Sequence, residues 1–435
     1  MNGRAEEPPV DQRQARTSIP DATRRAIDVS LAGVDAHLAR HYPGEAATRQ
    51  PVHTVYVPAD RFAPDTAREW GIAALALLDT HAPDPAALAA VLGLPEDLAG
   101  EIHRRVRAKL TREPVEDLRI DFEDGYGRRP DAEEDADVLR AAAHIATARR
   151  RGLAPPGIGI RFKSLEAPVR ERAIRTFDLF LSALLEDGPL PGELRLTLPK
   201  VSHPDQITAM ARLCEAFETA TGLPANRLTF EVQIETTQAI LGADGRATVA
   251  RLIAAAPTRV AALHYGTFDY SAACSVSAAH QAPDHPAADH AKAVMQAAAA
   301  GTGVRLSDGS TNLLPTGDTA QVHQAWRHHH ALVRRSLARA YYQGWDMHPG
   351  HLPTRYAAVY TFYRQGLPGA ARRLAAYLSG TGNGERTVLD EPATARALAA
   401  FLLRGLHCGA LDGAEVTAAT GAGPDALRTL AAPPG

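Results

Sequence analysis

Asp121-Phe122-Glu123-Asp124-Gly125-Tyr126-Gly127, DFEDGYG, closes the short run Leu118-Arg119-Ile120. An apolar run that ends in acids and then glycine reads as a β-strand whose carboxyl end holds charged groups before a turn. The form recurs downstream. GIRF ends at Phe162, LPKV spans Leu198 to Val201, EVQIET spans Glu231 to Thr236, HYGTFDYS spans His264 to Ser271 and GWDMHPGH spans Gly344 to His351. Stability alone does not call for charge at every strand end. In a parallel barrel all carboxyl ends meet on one face, and the active site is built there.

Working outward, VHTVYVP (Val52 to Pro58) has the β-branched and aromatic content of a first strand. Residues 63 to 117 are rich in Ala and Leu at helical spacing, an unusually long helical insertion before the second strand. The beat then becomes regular. The stretch 131 to 151 opens with acids and closes with arginines, as a helix dipole favours. Further helices are predicted over 165–187, 204–221, 246–255, 287–301 and 318–342, between the strands IGIRF, LRLTLPK, LTFEVQIE, VAALHYG, GVRLSDG and GWDMHP. Alternating strands and helices specify a parallel sheet with right-handed crossovers. Eight strand candidates favour a closed (β/α)8 barrel over an open sheet. The predicted organisation is a polar, disordered stretch 1–20, a barrel over 21–353 and a helical segment 354–435 that is a candidate lid.

The bulk properties narrow the function. The chain has 435 residues, 45% hydrophobic and 22% charged, with a net charge of −3. No basic stripe with interleaved aromatics supports nucleic-acid binding. Cys214, Cys274 and Cys408 lack any CxxC spacing, which points to a reducing compartment rather than a disulfide framework or structural zinc. No long apolar run suits a membrane span, and residues 1–20 lack the apolar stretch of a secretory leader, so a cytoplasmic protein is expected. No GxGxxG follows the first strand and no GxxxxGK[ST] occurs, against the usual dinucleotide and P-loop readings.

The ordered set VYVPADR, DFEDGYG, IRF, LPKV, IET, YGTFDYS and GWDMHPGHLP, from about Val52 to Pro353, resembles the citrate lyase β-subunit-like proteins. These stand with the HpcH/HpaI aldolases in the phosphoenolpyruvate/pyruvate-binding barrel superfamily, and malyl-CoA lyase and malate synthase are similar. The resemblance implies a (β/α)8 barrel, a divalent cation (Mg²⁺, with Mn²⁺ as an alternative), a small oxo-acid or carboxylate substrate, carbon–carbon bond cleavage or formation, and a homo-oligomer such as a trimer or hexamer. It leaves a CoA thioester open, because the 63–117 insertion and the long C-terminal region exceed those of compact members.

By the same resemblance, Glu235 and Asp269 are the metal ligands and Arg161 binds substrate. Two acids with room for waters suit Mg²⁺, which takes only one or two protein carboxylates. The alternative is that Glu235 caps the next helix and Asp269 forms an ordinary salt bridge. A guanidinium fork suits a carboxylate or enolate oxygen; Arg161 is equally readable as a structural partner of Glu123 or Asp124. Acids two apart on a strand share a face, so Asp121 and Glu123 point inward together and would hold Arg161 or Lys200. Glu123 and Asp124 are catalytic candidates, with Asp124 or Asp390 as the proton-transfer acid; Asp390 is also readable as a helix N-cap. Lys200, a substrate-binding candidate, reads as an electrostatic partner rather than a Schiff-base nucleophile, since neighbouring acids raise a lysine's pKa. Amides around Gly266, Thr267 and Phe268 are candidate oxyanion donors. His348 and His351 read as loop structure around Pro349. His328 to His330 are expected on an exposed helix face, because consecutive helical residues point about 100° apart and cannot chelate together. Competing functions on this barrel are phosphoryl transfer or mutase chemistry on phosphoenolpyruvate-like substrates, and a non-catalytic ligand-binding homologue.

Overall fold

The computed structural model describes residues 17–45, 48–379 and 391–432. Contacts divide the chain into two compact units, one ending at Pro43 and the other beginning at Gly44. The first holds one described helix, α1 (Asp21–His41), which buries no residue.

The second unit carries eight strands: β1 (His53–Pro58), β2 (Asp117–Asp121), β3 (Gly157–Arg161), β4 (Leu194–Leu198), β5 (Phe230–Ile234), β6 (Val260–Tyr265), β7 (Arg305–Ser307) and β8 (Gly344–Asp346). They pair in parallel in the order β7-β6-β5-β4-β3-β2-β1-β8. A parallel bridge from Ser307 to Gln343, and the Asp308 N–H donating to the Gln343 carbonyl at 2.8 Å, bring the two ends of the sheet together. The result is a nearly closed (β/α)8 barrel, as the eight-strand reading predicts.

Helices fill the connections. The long insertion after β1 is three of them: α2 (Thr66–His81), α3 (Pro85–Leu92) and α4 (Glu96–Arg112). Then come α5 (Asp131–Arg150), α6 (Arg170–Glu186), α7 (Pro204–Thr221), the short α8 (Thr237–Ile240) with α9 (Thr248–Ala255), α10 (Thr267–Ala273) with α11 (Pro286–Ala299), and α12 (Thr319–Ala338). Beyond β8 lie α13 (Leu352–Leu378), α14 (Pro392–His407), α15 (Gly413–Thr420) and α16 (Pro424–Ala431).

A period of two in β2, β3 and β4 separates two chemistries. Leu118, Ile120, Phe122, Ile160, Phe162, Leu196 and Leu198 are fully buried, as are Phe180 and Leu181 of α6, and all belong to one continuous hydrophobic core. Among the alternate residues Asp117, Arg119, Asp121, Arg161 and Thr197 are polar and also buried. Arg119 places Nη1 2.6 Å from Asp117 Oδ1 and Nη2 2.7 Å from Glu231 Oε1, with Thr197 Oγ1 accepting from Nε at 3.0 Å. A buried charge survives only when paired and hydrogen-bonded. This interior layer therefore fixes three strands to one another beneath the strand ends.

The histidine run departs from expectation. His329 and His330 of α12 are buried, because α13 packs along α12 and covers that face. Burial pushes His330 down to about 4, and Arg334 adds to it. His329 instead joins a network around Asp346, whose carboxylate also takes Arg355 and His53.

Candidate active site

The carboxyl ends of β2, β3, β4 and β5 and the first turn of α10 converge. Register explains the first pair: Asp121 lies opposite Arg161 across β2 and β3. Arg161 donates from Nε to Asp121 Oδ1 and from Nη2 to Asp121 Oδ2, each at 2.7 Å. Its Nη1 meets only long contacts, 3.4 Å to Glu123 Oε2 and 3.4 Å to Gln233 Oε1. The guanidinium is 4.8 Å from the Tyr56 ring and 5.5 Å from the Trp345 ring. One side of the fork is thus locked, and Nη1 remains available to an anion. Of the acids considered for Arg161, the structure supplies Glu123 weakly and gives Asp124 to Lys200; the firm partner is Asp121, the other member of the inward pair.

Asp121 needs room for its contacts. A Cβ on Gly125 would lie 2.6 Å from Asp121 Oδ2, which accepts the Gly125 N–H at 2.8 Å. Gly266 does the same for the second acid. A Cβ there would fall 2.5 Å from the Glu235 Cβ and 2.8 Å from Glu235 Oε2. Both glycines are dictated by an adjacent carboxylate.

Glu235 follows β5 directly and is buried, accepting the Lys200 main-chain N–H on Oε1 at 2.6 Å. Burial pushes its carboxyl up to about 7; Asp269 and Glu123 add to the rise, against Lys200 and Arg161. It does not cap α8, a role taken by Thr236, whose Oγ1 accepts from Ala239 N–H at 3.3 Å. Asp269 sits in the first turn of α10 with its side chain half exposed, 3.6 Å from the Lys200 ammonium. That ammonium also lies 2.9 Å from Glu123 Oε1 and 2.9 Å from Asp124 Oδ2.

The two neighbouring acids are held differently. Burial raises the Glu123 carboxyl despite Arg161 and Lys200. Burial also acts against Asp124, but hydrogen bonds involving Lys200 and Glu123 win and lower it. Burial works against the Lys200 charge too, yet Glu235 and Glu123 leave it raised, the opposite of the shift that a nucleophilic amine needs. Thr267, in the first turn of α10, and Ser310, just past β7, are buried with hydroxyls that make no hydrogen bond. Asp390 lies outside the described residues.

A divalent cation fits this donor set. The oxygens are hard, Glu235 is a buried carboxylate with little compensation, and Gly266 keeps its flank clear. A second group has ligand-like spacing: His329, Asp346 and His351 offer atoms within 4.8 Å of one another, the one such trio among the described residues. There Arg355 already neutralises Asp346, donating from Nη2 to Oδ1 at 2.7 Å, which disfavours a further cation. His351 Nε2 lies 3.1 Å from the Leu313 carbonyl and Nδ1 has no partner, while His348 accepts the Gly350 N–H at 3.0 Å as an ordinary turn residue. Reading the sequence missed the Tyr56 and Trp345 walls, which meet only when β1 and β8 pair. It also missed the Arg119 layer, although Asp117, Arg119 and Asp121 alternate visibly.

Fold and site together define a parallel (β/α)8 barrel with an acid-lined mouth, the fold of solved citrate lyase structures. A citrate lyase from Burkholderia xenovorans superposes with a TM-score of 0.57 at 18% identity, covering 86% of this chain and 98% of that one. The protein CitE from Mycobacterium tuberculosis, solved with magnesium, acetoacetate and coenzyme A, gives 0.48 at 16% identity, over 84% of this chain and 100% of that one. Malate synthase from Haloferax volcanii, with magnesium and glyoxylate, gives 0.47 at 14%, over 88% of this chain and 98% of that one. The chain belongs to the family described as a domain of unknown function, DUF6986, whose model matches residues 31–434. No curated protein matches it. Among the described residues no helix is long and apolar enough to cross a membrane.

Proposed function

We propose that this chain is a carbon–carbon lyase that uses a divalent cation, Mg²⁺ or Mn²⁺, on a 2-oxo acid or hydroxy acid. One observation carries the reading: Glu235 is a buried carboxylate raised to about 7 beside Asp269, on a barrel face that also presents Arg161. Perturbed acids gathered at strand ends mark functional sites in such barrels. Glu235 and Asp269 would hold the cation, which when bound supplies Lewis-acid stabilisation of an enolate oxygen.

The chain's own residues divide the remaining work. Arg161, oriented by Asp121, binds the substrate carboxylate through Nη1. Tyr56 and Trp345 flank the guanidinium and exclude water around it. Glu123, raised by burial, is the better proton carrier, and Asp124 stays ionised against Lys200. Asp390 remains a second candidate for that proton. The main-chain N–H groups of Thr267 and Phe268, at the start of α10, are donors for a developing oxyanion.

The test pairs binding with turnover. Calorimetric titration of Mg²⁺ into the full chain is expected to show saturable binding that Glu235→Gln abolishes. Incubation with pyruvate and glyoxylate, as free acids and with CoA thioesters, is expected to give aldol or retro-aldol products by mass spectrometry. Undiminished Mg²⁺ affinity in Glu235→Gln would reject the ligand assignment. The absence of any carbon–carbon product would turn the reading towards phosphoryl transfer or simple ligand binding.

A further inference from the structure

Lys200 sits where a cation bound by these acids would have to be accommodated. Its ammonium contacts Glu123 and Asp124 at 2.9 Å each and Asp269 at 3.6 Å, and its main-chain N–H donates to Glu235 at 2.6 Å. One residue therefore engages both acids assigned to the metal and both assigned to proton transfer. The backbone bends to allow it: Lys200 has φ 52, in the left-handed region that residues with a Cβ seldom adopt. Such strain persists where surrounding structure over-determines it, and it gathers at functional sites. β4 ends at Leu198, so no strand pairing imposes the conformation. The side chain is 26% exposed and Asp124 is 56% exposed, so the ammonium has a path outward along an acid it already touches.

We propose that the Lys200 ammonium is a resident counter-cation of the acid cluster, and that a divalent ion binding at Glu235 and Asp269 expels it towards solvent. The proposal rests on the metal reading of those two acids. Two cations cannot both sit at contact distance from the Asp269 carboxylate without repelling each other. Displacement makes metal affinity a competition between the ion and the chain's own side chain. It also confers selectivity by charge. A monovalent ion that replaces a monovalent ammonium gains no net charge, whereas a divalent ion adds one to a cluster of four acids.

Two measurements test this on the full chain, stripped of metal beforehand. Lys200→Met is expected to bind Mg²⁺ about tenfold tighter than the unsubstituted protein by calorimetry at one pH and ionic strength. Reductive methylation of Lys200 in the unsubstituted protein, followed by mass spectrometry, is expected to run several-fold faster when millimolar Mg²⁺ is present. The labelling arm needs no variant and stands if Lys200→Met fails to fold. Mg²⁺ binding with unchanged Lys200 labelling would overturn the displacement while leaving the metal site intact, even if the variant bound more tightly through remote charge. Mg²⁺ binding to neither protein would remove the metal reading and this proposal with it.

Discussion

Two buried carboxylates at strand ends, Asp346 at the end of β8 and Glu235 just past β5, have opposite surroundings. Asp346 receives Arg355 Nη2 at 2.7 Å, His53 Nδ1 at 2.9 Å and His329 Nε2 at 3.0 Å. Burial would raise it, but Arg355 and the two histidines outweigh that and hold it well below the usual carboxylate range. Glu235 receives one N–H, and burial with Asp269 and Glu123 takes it up to about 7. A carboxylate saturated by donors serves the fold. One denied them keeps capacity for a ligand and weakens the fold in doing so. The difference can be probed by taking each acid away.

The largest effect belongs to Asp346→Asn. Arg355 would be left buried without its anion, a loss of about 3–5 kcal/mol, read as a fall in the urea midpoint. The sign with pH follows from the lowered carboxyl. The Asp346 contribution is present above its ordinary pKa and is lost as pH falls below it. A variant as stable as the parent at neutral pH would show that the donor shell is not what holds β8 to α12 and α13.

Glu235→Gln is expected to go the other way. A folded-state pKa raised from 4.5 to about 7 means stability that is full below 4.5 and lost as pH rises through about 7. The amide mimics the protonated acid and still accepts the Lys200 N–H. Measured with a chelator present, the variant should be more stable than the parent at alkaline pH by about 3 kcal/mol. The gap should close as the solution is acidified to the ordinary carboxylate pKa. A pH-independent gap, or a destabilised variant, would mean that Glu235 is not a strained charge and would blur the contrast with Asp346.

How much of this was legible follows from which interactions are local. Apolar runs ending in charge revealed the strands and their shared face, whereas the need for Gly266 beside Glu235 arises only across β5 and β6. That Arg161 pairs firmly with Asp121 and only weakly with Glu123 was not readable, because the β2–β3 register decides between them rather than spacing along the chain. The burial of His329 and His330 depends on α13, a helix whose packing no local pattern encodes. Lys200 contacts Glu123 and Asp124, acids visible in DFEDGYG, but its left-handed backbone could not be inferred from LPKV. The Asp346 network joins β1, β8, α12 and α13, and exists only after the barrel wraps round.

The smallest effect compares two tyrosines across the same divide. Tyr56 is buried beside Arg161 at the mouth, and its Oη has no hydrogen-bond partner. Tyr356, on α13, donates its Oη to the Pro114 carbonyl at 2.9 Å. Removing a satisfied hydroxyl costs roughly 0.5–1.5 kcal/mol, whereas removing an unsatisfied buried one relieves desolvation and is neutral or stabilising. Tyr356→Phe should therefore lower the urea midpoint, and Tyr56→Phe should leave it level or raise it. The ring of Tyr56 still covers the guanidinium in that variant, so any loss of substrate affinity would report the hydroxyl itself. A stability loss in Tyr56→Phe equal to that in Tyr356→Phe would show that the mouth is as fully hydrogen-bonded as the wall, and the contrast drawn from Glu235 and Asp346 would not extend beyond those two acids.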